Sequence, residues 1–317
     1  MYNPQRLSRS EFVAVRKLRY HVRVWGEPRP GVPPLVLVHG WMDVAASWQF
    51  VVDAFAQERQ VIAPDWRGFG LTEGPPCDNY WFPDYLADLD FLLDHHAGDQ
   101  PVDLVGHSMG GNIAMLYAGV RPERIRRLVN LEGFGMPATL PSQAPGRYGK
   151  WISELKSLRR GELALKTYGS LTGVAARLRK TNRRLSQDRA DWLAGHWAAR
   201  QPDGQWAILG DAAHKIVNAN LFRVDEVLEI YRAIRAPVLC VEAGDDSLGQ
   251  WWQGRYTLAE YHERLKAVSD VRLSRVEDAG HMLHHDQPVE VARLIEDFLQ
   301  KDYPVNGGGG AQQGPNS

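Results

Sequence analysis

The sequence predicts an α/β fold: a mostly parallel central sheet with helices on both faces and an inserted helical cap. Three observations predict it. Short apolar runs without alternation, such as Leu35–Val38, fit strands buried on both faces. These runs alternate with amphipathic helical stretches early in the chain and again near its end. Between residues 136 and 220 the strand signal lapses, and basic, Trp-bearing helical stretches replace it.

The elements follow in order. Phe12–Val15 and Leu18–Trp25 carry alternating apolar positions and read as a hairpin or two short antiparallel strands. Leu35–Val38 is a buried strand running into His39-Gly40, and Ser47–Gln57 has apolar residues at helical spacing. Gln60–Ala63 is a second buried strand, closed by Pro64-Asp65. Pro83–His95 reads as a helix with Tyr85, Leu86, Leu89, Leu92 and Leu93 on one broad face. Val102–Val105 (strand), Met109–Val120 (helix) and Ile125–Leu131 (strand) follow. After the cap come Val224–Ile234 (helix), Pro237–Glu242 (strand), Thr257–Val268 (helix), Val271–Val276 (strand) and Val289–Leu299 (helix). The expected division is a core of residues 1–135 and 221–303, a cap of residues 136–220 and a disordered tail of residues 304–317, rich in Gly, Gln, Pro and Asn.

Composition narrows the function. The 317 residues carry 37 Lys+Arg against 38 Asp+Glu, a balance that argues against a nucleic-acid partner held by bulk charge. The apolar runs are too short to span a bilayer, so no membrane partner is expected. The polar N-terminus has no apolar core of a secretory signal, and the cytoplasm is the expected compartment. Two cysteines, Cys77 and Cys240, make no disulfide framework. Between Pro141 and Asn220, 14 Lys/Arg face 6 Asp/Glu, a net +8. That surplus reads first as solvated helix faces, and second as attraction of anionic substrates. Some of the 11 Trp are candidates to line a pocket.

Gly106-His107-Ser108-Met109-Gly110 is a G-x-S-x-G sequence with a strand before it and a helix after it. That context puts the serine on a tight strand-to-helix turn, its hydroxyl exposed at the carboxyl end of the sheet. Small residues two before and two after let strand and helix approach closely. With His39-Gly40-Trp41, Asp65-Trp66-Arg67-Gly68-Phe69-Gly70 and Gly280-His281, the chain resembles a serine hydrolase of the α/β-hydrolase fold over about residues 10–301. Thr72 stands where many relatives carry Ser.

The resemblance implies roles. Ser108 is the nucleophile. The backbone N–H groups of Met109 and Trp41 form the oxyanion hole. His281, after the last strand, occupies the position of the general base. His284 and His285 compete for that role but lie nearer the start of the last helix. A metal cluster of His281, His284, His285 and Asp286 is a weaker reading. The acid has two candidates. Glu132 ends the strand Ile125–Leu131, a placement similar to the haloalkane-dehalogenase branch and certain lactone hydrolases. Asp246 sits in a polar loop after the strand Pro237–Glu242, the commoner placement.

A serine nucleophile implies an acyl-enzyme. The carboxylate nucleophile of dehalogenases and epoxide hydrolases is absent here. The expected function is hydrolysis of a carboxylic ester or lactone, with no metal or organic cofactor. Trp251 and Trp252 are candidates for the pocket rim. Other readings are a hydrolase of C–C bonds in aromatic degradation products, an aminopeptidase, and a hydrolase-like receptor for a small ligand. The sequence sets neither the substrate nor the oligomeric state.

Overall fold

A computed structural model describes residues 2–300. The main sheet is built from β1 (Ser8–Val15), β2 (Leu18–Trp25), β3 (Leu35–Val38), β4 (Val61–Pro64), β5 (Val102–His107), β6 (Ile125–Leu131), β10 (Val238–Ala243) and β11 (Val271–Val276). Their order across the sheet is β1-β2-β4-β3-β5-β6-β10-β11. The β1–β2 and β2–β4 pairs are antiparallel, and every later pair is parallel. The expected tail of residues 304–317 lies outside the described residues.

Side-chain alternation in the central strands feeds two cores. Val36, Val38, Leu104, Leu128 and Cys240 face one side. There they pack against α2 (Pro83–Ala97), α3 (Met109–Val120), α7 (Val224–Arg232) and α9 (Leu258–Leu265). Leu35, Leu37, Val105, Val129 and Leu239 face the other side, against α1 (Gln49–Ala54) and α11 (Pro288–Gln300). Helices on both faces explain why these strands read as unbroken apolar runs.

Two details differ from the sequence reading. The helix expected over Ser47–Gln57 is a 3-10 turn at Ala45–Trp48 followed by the short α1. Phe55 turns extended, and the Glu296 carboxylate of α11 accepts from Ala56 N and Gln57 N at 2.9 and 2.7 Å. A tertiary acceptor thus takes N–H groups that a longer helix would have used.

The cap holds α4 (Ala144–Arg159), α5 (Leu171–Thr181) and α6 (Gln187–Trp197), and also a small antiparallel sheet. That sheet has β7 (Thr167–Tyr168), β8 (Ala198–Arg200) and β9 (Trp206–Ile208), in the order β7-β9-β8. Strands this short carry no readable periodicity. A third apolar cluster joins Val174, Ala175, Leu193 and Ala194 of the cap to Val44, Ala46 and Phe50 of the core. Backbone bonds Gly70 N to Leu209 O (3.0 Å) and Asp211 N to Gly68 O (2.9 Å) tie the cap to the loop after β4. Among the described residues, no helix is long and apolar enough to cross a membrane. Two short helices complete the chain near the site: α8 (Ser247–Trp252) and α10 (Leu283–Asp286).

Candidate active site

Ser108 sits between β5 and α3 with φ 53° and ψ -115°, a conformation that L-residues avoid. Such strain costs on the order of 1–3 kcal/mol and needs its surroundings to enforce it. The glycines make that enforcement possible. A Cβ on Gly106 would lie 2.3 Å from Gly110 O, and one on Gly110 would lie 2.3 Å from Val38 O. Strand and helix therefore meet more closely than any side chain permits. Ser108 N–H also donates to Leu131 O at 2.8 Å, which anchors the turn to β6.

His281 meets the hydroxyl. Its Nε2 is 2.9 Å from Ser108 Oγ, and its Nδ1 is 3.2 Å from Glu132 Oε2. A carboxylate can only accept, so Nδ1 carries the proton and Nε2 is left to accept from the serine. The His281 loop is held from several sides. Gly280 N donates to Asp286 Oδ2 at 2.9 Å, and Asn182 of the cap donates to Asp286 Oδ1 at 2.7 Å. His107 Nε2 donates to His281 O at 2.7 Å.

The two carboxylates separate cleanly. Glu132 is 3 % exposed and takes φ 58°, a left-handed turn that carries its side chain across to the end of β10. Asn130 clamps that turn, accepting from Gly133 N (3.0 Å) and donating to Gly133 O (2.8 Å). Glu132 Oε1 accepts from Ala243 N at 2.7 Å, and Oε2 accepts from the Ser247 hydroxyl as well as from His281. Desolvation of a buried carboxylate is tolerable with this many donors. Asp246 is not brought to His281. It is exposed, and its Oδ1 accepts from Gly249 N at 2.8 Å, capping α8. As a candidate acid it is therefore corrected: its polar loop rewards a helix cap, not a buried bond to imidazole.

The sequence reading missed Ser247, whose only signal was its place beside Asp246. It also missed Asp286 and Asn182 as supports of the His281 loop, because that contact joins distant parts of the chain.

His284 and His285 are buried, His285 with its ring against Phe50 (centroids 5.5 Å apart), and neither reaches the serine. The four-residue metal reading around His281 does not hold. The buried group with ligand spacing is Asp43, His107 and His284 instead.

Met109 opens α3, where first-turn N–H groups have no intrahelical acceptor. Gly40 approaches Ser108 so closely that a Cβ there would lie 3.2 Å from Ser108 Cβ. This brings the Gly40-Trp41 backbone beside the turn. His39 fixes that loop: its Nε2 accepts from Trp66 N (2.9 Å), and its Nδ1 donates to Gly40 O (2.8 Å). Burial pushes the His39 imidazole down to about 4, which keeps it neutral for both bonds. Thr72 uses its hydroxyl as a Ser would, donating to Asp65 O at 2.6 Å.

Trp41 and Met109 border a small cleft of about 110 Å³, lined also by Tyr80, Phe82, Tyr85, His214, Ile216 and Asn218. Tyr80 and His214 stack with centroids 3.7 Å apart, so cap and core share this wall. Trp251 stands exposed with its ring 6.3 Å from that of His281, and Trp252 packs on the core.

Comparison with known proteins places the chain in a family. The chain is 27% identical over 297 residues to a zebrafish (Danio rerio) serine hydrolase-like protein, covering 89% of this chain and 85% of that one. It is 40% identical over 106 residues to 2-hydroxy-6-oxo-2,4-heptadienoate hydrolase of Pseudomonas putida, covering 32% of this chain and 38% of that protein. In structure it is similar to a thioesterase domain from the curacin biosynthetic pathway. There the TM-score is 0.78 and the identity 24%, over 92% of this chain and 99% of that one. The alpha/beta hydrolase fold family matches residues 33–288. The chain is a hydrolase belonging to the alpha/beta hydrolase fold family.

Proposed function

We propose that the protein hydrolyses a carboxylic ester or lactone through an acyl-enzyme on Ser108. His281 takes the serine proton as Oγ attacks the carbonyl carbon. The tetrahedral oxyanion is held by the N–H groups of Met109 and Trp41, preorganised dipoles whose individual removal costs on the order of 10²–10³ in rate elsewhere. His281 then passes the proton to the departing alkoxide, and the acyl group stays on Oγ. A water, deprotonated by His281, attacks the acyl carbon, frees the acid and returns the proton to Ser108. Glu132 orients the imidazole and stabilises its charged form without taking the proton.

One observation carries this reading: the continuous run from Ser108 Oγ to His281 (2.9 Å) to Glu132 (3.2 Å) at a strained turn. The aromatic lining of the cleft supports an apolar acyl or aromatic substrate. Two measurements test it. A fluorophosphonate labels the wild-type protein and fails to label Ser108→Ala. Short- and long-chain p-nitrophenyl esters are both offered, and inertness to both sinks the ester reading.

A second reading is favoured by the Pseudomonas relative, a hydrolase of a dienoate with a ketone group by its name. On this reading the same residues cleave a C–C bond beside a carbonyl. Turnover of a vinylogous diketone, with esters ignored, decides for it.

A further inference from the structure

A second polar cluster adjoins the site and takes no part in the proposed reaction. Asp43, His107 and His284 are 5, 2 and 1 % exposed. One potential ligand atom from each lies within 4.8 Å of the other two. Among the described residues, Asp43 Oδ2, His107 Nδ1 and His284 Nδ1 are buried with no hydrogen-bond partner. Each such orphan costs about 1–3 kcal/mol. Asp43 Oδ2 has His284 Nε2 at 3.9 Å, too long for a hydrogen bond, so the side chains of the group do not satisfy one another.

The chemistry of the three favours a metal. His107 has its tautomer set: Nε2–H donates to His281 O at 2.7 Å, which leaves a lone pair on Nδ1. Imidazoles that bind metals are usually held this way, their second nitrogen donating to a carbonyl or carboxylate. Asp43 keeps Oδ2 free while Oδ1 accepts from the Ser47 hydroxyl. Two imidazoles and one carboxylate match zinc better than the oxygen-seeking magnesium or calcium. Zinc bonds of about 2.0–2.2 Å ask for a triangle somewhat tighter than the 4.8 Å limit, an inward movement of under about 1 Å at each side chain.

We propose that Asp43, His107 and His284 form a binding site for one divalent transition-metal ion, zinc by preference, with the fourth position open to water. The site is separate from the reacting atoms and joined to them through the bond from His107 to the His281 carbonyl.

The test uses the full chain, freed of metal by a chelator and dialysed against zinc. One zinc per chain is expected, with an absorption-edge spectrum showing two imidazoles and oxygen ligands. Both His284→Gln and Asp43→Asn are expected to weaken binding at least tenfold. Substitutions at the exposed Cys77 (Cys77→Ser) and at His262 (His262→Gln) are expected to leave it unchanged. No stoichiometric zinc, a sulfur ligand, or undiminished binding in His284→Gln overturns the proposal. Where a variant fails to fold, the wild-type spectrum decides alone: one imidazole or none rejects the site.

Discussion

Two turns at the carboxyl end of the sheet carry the rival carboxylates, and they behave differently. The turn after β6 carries Glu132, buried and held by Ala243 N, Ser247 and His281. The turn after β10 carries Asp246, exposed and engaged with Gly249 N. In sequence both look suited to the base. The contrast is that the carboxylate beside His281 has its burial compensated by donors, whereas the other stays in solvent. A polar loop is the cheaper place for a charge, and for that reason it says less about function.

The largest expected effect breaks or keeps that comparison. Glu132→Gln should lower kcat/KM for an ester by about 10³–10⁴, as loss of the orienting carboxylate does in other serine hydrolases. Asp246→Ala should stay within about threefold of wild type by the same assay. The opposite order would reassign the acid.

Ser247→Ala sharpens the comparison by removing one donor to Glu132 Oε2. A hydrogen bond to a charged group is worth about 1.5–3 kcal/mol. The expected fall in kcat is about tenfold, with KM nearly unmoved, read from steady-state kinetics.

Acid should damage the buried side and spare the exposed one. Burial pushes His39 down to about 4 and His285 down to about 3, and holds His107 and His284 well below 6.5. These groups are neutral when folded and take protons on unfolding. Their contribution is therefore complete above about 6.5 and is lost as pH falls from there toward the folded values. Asp43, pushed up to about 6 by burial, runs the other way and offsets part of the slope. Denaturant melts between pH 7 and 4 should show stability falling with acid. In His285→Gln the slope should be shallower by about 1.4 kcal/mol per pH unit.

The smallest effect belongs to the other turn. Asp246→Ala removes the cap of α8 and should cost about 1 kcal/mol in thermal stability. A loss of several kcal/mol would mean that Asp246 does more than end a helix.

Much of the fold was legible because its signals are local. Leu35–Val38 and Val102–Val105 announce buried strands by composition, the second running on to His107, and Gly106 and Gly110 mark a close approach. The hairpin of β1 and β2 follows from alternation. The end of α1 was not legible, since Glu296 lies far along the chain. Nor was the cap sheet, whose strands are two or three residues long. In the site, Ser108 and the loop of Trp41 were readable from motifs. The supports Ser247, Asp286 and Asn182 were not, because each acts through a contact that sequence distance hides.

A layered α/β architecture and a hydroxyl raised on a strained turn could be read from the chain alone. Both depend on short-range periodicity and on glycines within a few positions. Packing alone set Glu132 beside His281 and left Asp246 capping a helix, and packing alone gathered Asp43, His107 and His284 into one buried group. The reason is that desolvation and hydrogen-bond compensation are properties of neighbourhoods, and neighbourhoods exist only once distant segments have packed.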